Sequence, residues 1–527
     1  MSRIIDAKTL KSWLSDGAEI ALLDVREAGQ FGEGHQFFAV PLPYSRFELG
    51  LPSLVPNPSA RLVLCDDGDG IADRAARRAE ELGYTDVHVL AGGQAGWEAA
   101  GYTLYAGVNV PSKTFGELVE HASDTPRITP EELQRRTAAG DKIAIVDGRP
   151  FAEFQRINIP GGVCCPNGEL ALRIRDIVPD HDTTIIVNCA GRTRSIIGAQ
   201  TLIDFGIENP VYALENGTQG WFLAGFEVER GASRRYPDKT AANPAELAPR
   251  AAAVAMKHGV QSISAATLAN WIAEPNRTTF TFDIRTAEEV AADPAPAFTH
   301  APGGQLIQAT DLWVGVKGAR IVLADADRVR APMVAAWLRQ LGHDASVLDG
   351  GIDAARSIRN PPRVQPAKLP VLPRIEPAAL AGKLGSDQIR LIDLRPSHEF
   401  RLGHIEGATW SIRPRLGTQP LAGKPGPVVL VAADDGTANL VASDLKEAGI
   451  SNVQLLTGEP NEWKSAGLRV AVTPDEPLDS ERIDFLFFTH GRNEGDAAAA
   501  RKYLAWETGL LNQLDEQERS AFRIAAH

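Results

Sequence analysis

Apolar and polar positions along this chain fall into two alternating textures. Runs of four or five apolar residues bounded by turn residues read as buried strands, and longer stretches with apolar residues at three- and four-residue spacing read as covering helices. One composite occurs four times, an apolar strand closing on Asp-x-Arg: Leu22-Leu23-Asp24-Val25-Arg26, Ile145-Val146-Asp147-Gly148-Arg149, Thr281-Phe282-Asp283-Ile284-Arg285 and Leu391-Ile392-Asp393-Leu394-Arg395. An acidic residue follows each, with Glu27, Glu153, Glu288 and Glu399 the clearest candidates. Roughly forty residues later comes a second apolar strand, Leu62 to Cys65, Ile185 to Cys189, Ile321 to Asp325 and Val428 to Ala432. Each leads through a loop into an amphipathic helix stopping at a glycine, Gly83, Gly206, Gly342 or Gly449, the expected left-handed cap. A short strand and a turn follow, at Gly92-Gly93, Asn216-Gly217, Gly350-Gly351 and Gly458, and three copies then carry Trp97, Trp221 and Trp463.

Strand, helix, strand, loop, helix, strand is the grammar of a mostly parallel sheet covered on both faces. The chain is therefore expected to be α/β, with four tandem doubly wound domains and a helical tail. The expected limits are 1–107, 125–230, 262–358 and 376–473, with the tail over 478–527. Asn109 to Glu117 reads as an ordered connection carrying a short helix, residues 231–260 as an Ala/Pro-rich join, and Pro361 to Pro373 as a semi-rigid connector. In the tail, Phe485 to Phe488 form an apolar patch, and Ala497 to Leu514 read as a helix packed on another domain or subunit.

The four loops are not equivalent. Cys189 lies 17 residues before Gly206, Asp325 lies 17 before Gly342, and Ala432 lies 17 before Gly449. Only the second loop thus offers a thiol at that register. Cys65 needs 18 residues to reach Gly83, and Asp66, Asp67 and Asp69 follow it, charges that oppose a thiolate. It reads as vestigial or structural. In the second copy, the chain runs Cys189-Ala190-Gly191-Arg192-Thr193-Arg194-Ser195. Cys189 is expected to end a strand, with the next five residues turning into a helix whose amides point back at the sulfur. Backbone donors, helix dipole and guanidinium groups all lower a thiol pKa. Arg192 and Arg194 are the candidates for gripping an anion through paired donors. Thr193 and Ser195 could donate hydroxyl hydrogen bonds, and the amides from Ala190 through Gly191 to Ser195 could converge on the thiolate. Cys164-Cys165 reads as packing, with one thiol facing inward, or as a resolving thiol for an oxidised Cys189.

Composition narrows the setting. The 527 residues exceed one core, and 44% hydrophobic with 23% charged residues is ordinary globular content. A net charge of -13 disfavours nonspecific binding to nucleic acid or membrane. The first residues lack a basic segment followed by an apolar run, no stretch is apolar enough to span a bilayer, and four cysteines form neither a disulfide scaffold nor a metal-site spacing. A reducing cytoplasm is the expected location.

At these residues the chain resembles the rhodanese, or sulfurtransferase, family. Asp147-x-Arg149, the turn Ile159-Pro160-Gly161-Gly162 and the Cys189 to Arg194 loop carry the likeness, as does Asp393-Leu394-Arg395 with Gly403-His404-Ile405-Glu406-Gly407-Ala408. The resemblance implies four rhodanese-like domains, the second catalytic, with a sulfane sulfur carried as a persulfide on Cys189 and held by the amides of Ala190 to Arg194. The implied reaction takes sulfur from thiosulfate or a similar small anionic donor to a thiol, cyanide or protein acceptor, without metal or organic cofactor. The three other loops depart at the nucleophile or in length, which counts against activity there. Two rival readings stay open: a noncatalytic scaffold or sulfur-sensing module, and a cysteine phosphatase or arsenate reductase, whose loop would want its arginine one place beyond Arg194. The aromatic tail raises the expectation of a homodimer. The enzymatic reading requires the Cys189 sulfur to be ionised and within reach of an anion.

Overall fold

A computed structural model describes residues 3–384, 389–416, 426–492 and 495–524. Small parts of the first, fourth and tail segments delimited above therefore lie outside the described residues. Four five-stranded sheets are present, and in each the strands, counted along the repeat, lie in the order first, fifth, fourth, second, third. The pairings within these sheets are parallel. The third repeat keeps this order despite its missing tryptophan, so the recurrent apolar pattern did encode four copies of one sheet.

The recurrence of Asp-x-Arg has a structural cause. The second strands, Ile20–Asp24, Ile143–Asp147, Thr279–Asp283 and Arg390–Asp393, each end on the aspartate. Its carboxylate accepts the amide of the arginine two residues on and pairs with that guanidinium. The same guanidinium then donates to a carbonyl eight residues further on: Gly34, Ile157, Asp293 and Gly403. One buried ion pair thereby closes the turn into the following helix. At 1% exposure each, the Asp147 and Arg149 side chains satisfy one another in a place where either alone would be strongly destabilising.

The chain forms two compact units. One holds the first and fourth repeats, Leu22–Ala106 and Arg363–Phe488; the other holds the second and third repeats and the tail, Gly107–Pro362 and Thr489–His527, together with Lys11–Ala21. In the first unit, Arg413 is buried, bonded to Glu48 and Asp444, and lies 4.2 Å from the Tyr44 ring centre. In the second unit, Arg330 fills a similar role against Asp327, Glu169 and Glu289.

The connections carry more helix than the sequence suggests. A first linker helix spans Val110–Ser123, and the Ala/Pro-rich join contains a second linker helix, Pro244–Lys257, capped by Asn243 accepting the Ala245 amide. Pro244 at its first turn costs nothing because that amide has no helical acceptor. The tail helix spans Ala497–Gly509 and ends in a short 3₁₀ turn, Leu510–Asn512, so it is shorter than the apolar pattern implies.

Candidate active site

The strand Thr184–Asn188 stops one residue before the cysteine, and the helix starts at Thr193. The loop is therefore Cys189 to Arg192, tighter than expected, and Thr193, Arg194 and Ser195 form the first helical turn. Asn188 anchors the strand end by donating to Asp147 and to the Thr218 hydroxyl, both at 3.0 Å. The Cys189 carbonyl accepts the Thr218 amide at 2.8 Å, and the Ala190 carbonyl accepts the Gln219 amide at 3.0 Å. Because a peptide unit is planar with its N–H opposite its C=O, these bonds turn the amides of Ala190 and Gly191 away from the Gly217–Leu223 helix. Gly217 permits the approach: its φ is +55°, and a Cβ there would sit 2.4 Å from the Cys189 carbonyl oxygen.

The Cys189 sulfur accepts a hydrogen bond from the Ser195 hydroxyl at 3.1 Å. Arg194 is held by Glu153 through two bonds of 2.9 and 2.8 Å, with its Nε unpartnered among the described residues. Burial works against the Arg194 charge, but Glu153 and a Cys189 thiolate outweigh it and push its pKa upward. Glu153 shows the converse. Burial raises its carboxyl, yet the Arg194 guanidinium prevails and holds it below the usual range.

Arg192 is paired as well. Its guanidinium is engaged by the first linker helix, bonding Glu117 at 2.7 and 2.9 Å and also Glu120. Burial pushes the Glu117 carboxyl upward, opposed by Arg192. Thr193 is also claimed: its hydroxyl donates to the fully buried Glu507 at 2.8 Å. Lys113 on the linker helix donates to the same carboxylate at 3.1 Å. The tail helix thus lies on the loop, so close at Gly191 that a Cβ would come within 2.9 Å of Glu507. Cys189 is 2% exposed beneath this cover, so the sulfur is not at an open mouth.

The sister loops show what this backbone does with an acid. In the first repeat, Asp66, directly after Cys65, accepts the amides of Gly68, Gly70 and Ala72 at 2.8, 3.1 and 2.9 Å. In the third, Asp325 stands where the thiol would be and accepts the amides of Arg328 and Ala331 at 3.0 and 2.8 Å. In the fourth, Asp434 takes the Thr437 amide at 2.9 Å. In the second repeat no aspartate follows the strand, and among the described residues no acceptor takes the amides of Ala190, Gly191, Arg192, Arg194 and Ser195.

The remaining cysteines lack such a setting. Cys65 is buried, with its thiol pushed well up by burial first and then by Asp24. Cys164 and Cys165 are both buried, not one of the two, and burial pushes the Cys164 thiol up to about 12. The acid matching Glu153 in the third repeat is Glu289 rather than Glu288. Glu289 bonds Arg330 at 2.7 and 2.9 Å, and Arg330 follows Asp325 by the same five places as Arg194 follows Cys189. Lys113, Glu117, Glu120 and Glu507 were invisible to loop-by-loop reading because they come from connecting segments far away in the chain.

Comparison with known proteins agrees with this architecture. The rhodanese-like domain model matches residues 6–100, 129–224 and 376–466. A crystal structure of a thiosulfate sulfurtransferase from Pseudomonas aeruginosa superposes with a TM-score of 0.91 at 40% identity, covering 99% of each chain. A curated thiosulfate sulfurtransferase of that organism is 30% identical over 154 residues, which is 26% of this chain and 56% of the relative. An HTH-type transcriptional regulator of Mycobacterium tuberculosis is 36% identical over 111 residues, 21% of this chain and 48% of the relative. The chain thus spans about half the length of the curated relatives it matches, and nearly all of the solved one. Among the described residues no helix is long and apolar enough to cross a membrane. With three matches to the domain model, and with the same strand order repeated in all four sheets, the chain belongs to the rhodanese family, closely related to bacterial thiosulfate sulfurtransferases.

Proposed function

We propose that the protein is a rhodanese-type sulfurtransferase whose single working loop is that of the second repeat. Similarity to rhodanese-type sulfurtransferases supports the activity. The observation that carries the assignment to Cys189 is internal: in the first and third repeats the loop aims amides at a carboxyl group, while in the second the strand runs into a thiol and, among the described residues, no carboxylate takes the amides of Ala190, Gly191 and Arg192. A cradle of that kind stabilises a thiolate and, after transfer, the terminal sulfur of a persulfide.

In the first step the Cys189 thiolate attacks the outer sulfur of thiosulfate. The new S–S bond forms as the donor's S–S bond breaks, and sulfite leaves with the bonding pair. In the second, an acceptor thiolate or cyanide attacks the terminal sulfur and the Cys189 thiolate is released. Two covalent steps replace one difficult transfer. Arg194 orients the donor by exchanging Glu153, whose side chain is 41% exposed, for the donor's oxyanion. Arg192 acts by fastening the loop to the linker helix, and Ser195 donates to the sulfur. The amides of Ala190, Gly191 and Arg192, which no other acceptor among the described residues takes, complete the cradle, with the tail helix moving aside to admit the donor.

Mass spectrometry after incubation with thiosulfate tests this directly. The native chain gains one sulfur and Cys189→Ser gains none; equal loading of both would reject the assignment. The buried sulfur favours one second reading, a sensing module whose cover opens only to a partner. Steady-state turnover with thiosulfate and cyanide separates the two, since a sensor would load without turning over.

A further inference from the structure

The third repeat lost its nucleophile but kept both loop cations. Arg328 and Arg330 follow Asp325 at the places that Arg192 and Arg194 hold after Cys189. Arg330 is buried among carboxylates, whereas Arg328 is exposed, and among the described residues no carboxylate pairs with it. Its backbone sits at φ +60°, a left-handed conformation that non-glycine residues seldom hold. Strain of this kind persists where surrounding structure imposes it, and it concentrates at ligand sites.

The neighbouring helices explain the difference between the two loops. Each linker helix packs against the helix that follows the loop of its own repeat. In the second repeat the linker helix delivers Glu117 and Glu120 to Arg192. In the third, Ala251 and Val254 of the second linker helix enter a core with Met333 and Ala336, against which Ala248 also packs, while the stripe Ala245, Ala248 and Ala252 lines a cavity together with the loop. Among the described residues no carboxylate of this helix pairs with Arg328, whereas the sister helix brings two to Arg192. The cavity measures about 690 Å³ and is walled by that stripe, by Val260, Val347 and Leu348, and by the loop from Ala326 to Arg328. That volume lies within the roughly 300–1,000 Å³ typical of small-molecule sites, which pair apolar walls with a few polar groups.

We propose that this cavity binds a small carboxylic acid with an aliphatic body, its carboxylate on Arg328 in the place Glu117 takes on Arg192. The other polar groups of the wall are Ser262, Asp327, which is already paired with Arg330, and Asp349. The apolar stripe takes the hydrocarbon.

Titration calorimetry of the full chain with octanoate, and with octan-1-ol as the neutral counterpart, tests the assignment. Octanoate should bind at one saturable site and at least tenfold more tightly than the alcohol. Arg328→Gly, which keeps a backbone suited to φ +60°, should weaken octanoate at least tenfold, and Ala252→Phe, which fills the cavity, should abolish binding. Cys189→Ser should leave it unchanged. The proposal is overturned by absent saturation, by equal affinity for the alcohol, by indifference to both cavity variants, or by loss of binding in Cys189→Ser.

Discussion

Residues acquire their roles here from what reaches them. Arg192 and Arg194 are two places apart in one loop, yet one is fastened by Glu117 and the other by the half-open Glu153. Arg194→Lys should therefore lower kcat/KM for thiosulfate by at least tenfold, since an ammonium cannot replace two parallel donors. Arg192→Lys should act mainly on stability, and urea melts beside initial rates would show the split. At Asp147–Arg149 both partners are buried, and removing one leaves an uncompensated charge. Arg149→Met should cost about 3–5 kcal/mol in urea unfolding. Asn188, one place before Cys189, reads from sequence only as part of the strand Ile185 to Cys189. Its bonds to Asp147 and Thr218 give it a part in holding the loop.

Elements set the loop's shape by pressing on it. The turn at Asn216-Gly217 lies against the Cys189 carbonyl, whereas Gly206, at φ +80°, has no atom within 4 Å of the place a Cβ would take. Gly206→Ala should cost only the left-handed strain of about 1–2 kcal/mol and spare activity. Gly217→Ala meets that strain and a 2.4 Å clash besides, so both stability and sulfur loading should fall. The tail helix acts from the other side through Glu507, whose carboxyl is raised by burial but held below the usual range by Lys113 and Thr193. Glu507→Ala strands the Lys113 ammonium and loosens the cover. Cys189 should then react faster with iodoacetamide, followed by peptide mapping.

Across the whole molecule, buried acids tie stability to pH. Burial and Asp327 push Asp325 up to about 7, and burial, opposed by Ser45, pushes Glu27 up to about 7. Each folded-state value lies above that of the unfolded chain, so between about pH 4 and 7 the native state holds protons that the unfolded state has released. Stability from these groups is fully present on the acid side and is lost as pH rises through that window. Asp325→Asn should flatten this part of the profile, measured as urea midpoints at successive pH values; an unchanged slope would count against it.

The apolar pattern by itself determined four copies of one sheet and the capping glycines. Those features rest on short-range periodicity and on side-chain chemistry within about forty residues of chain. The equal spacing to the capping glycine, which placed Asp325 and Ala432 opposite Cys189, is of the same kind. Tertiary structure decided what the loops face. Glu117, Lys113 and Glu507 come from connecting segments with no repeat to mark them, and a carboxylate meeting a guanidinium across such separations leaves no local trace. The cover over Cys189 was therefore unreadable from the loop's own sequence. So was the alanine-lined cavity beside Arg328, because each depends on which helix folds back over which loop.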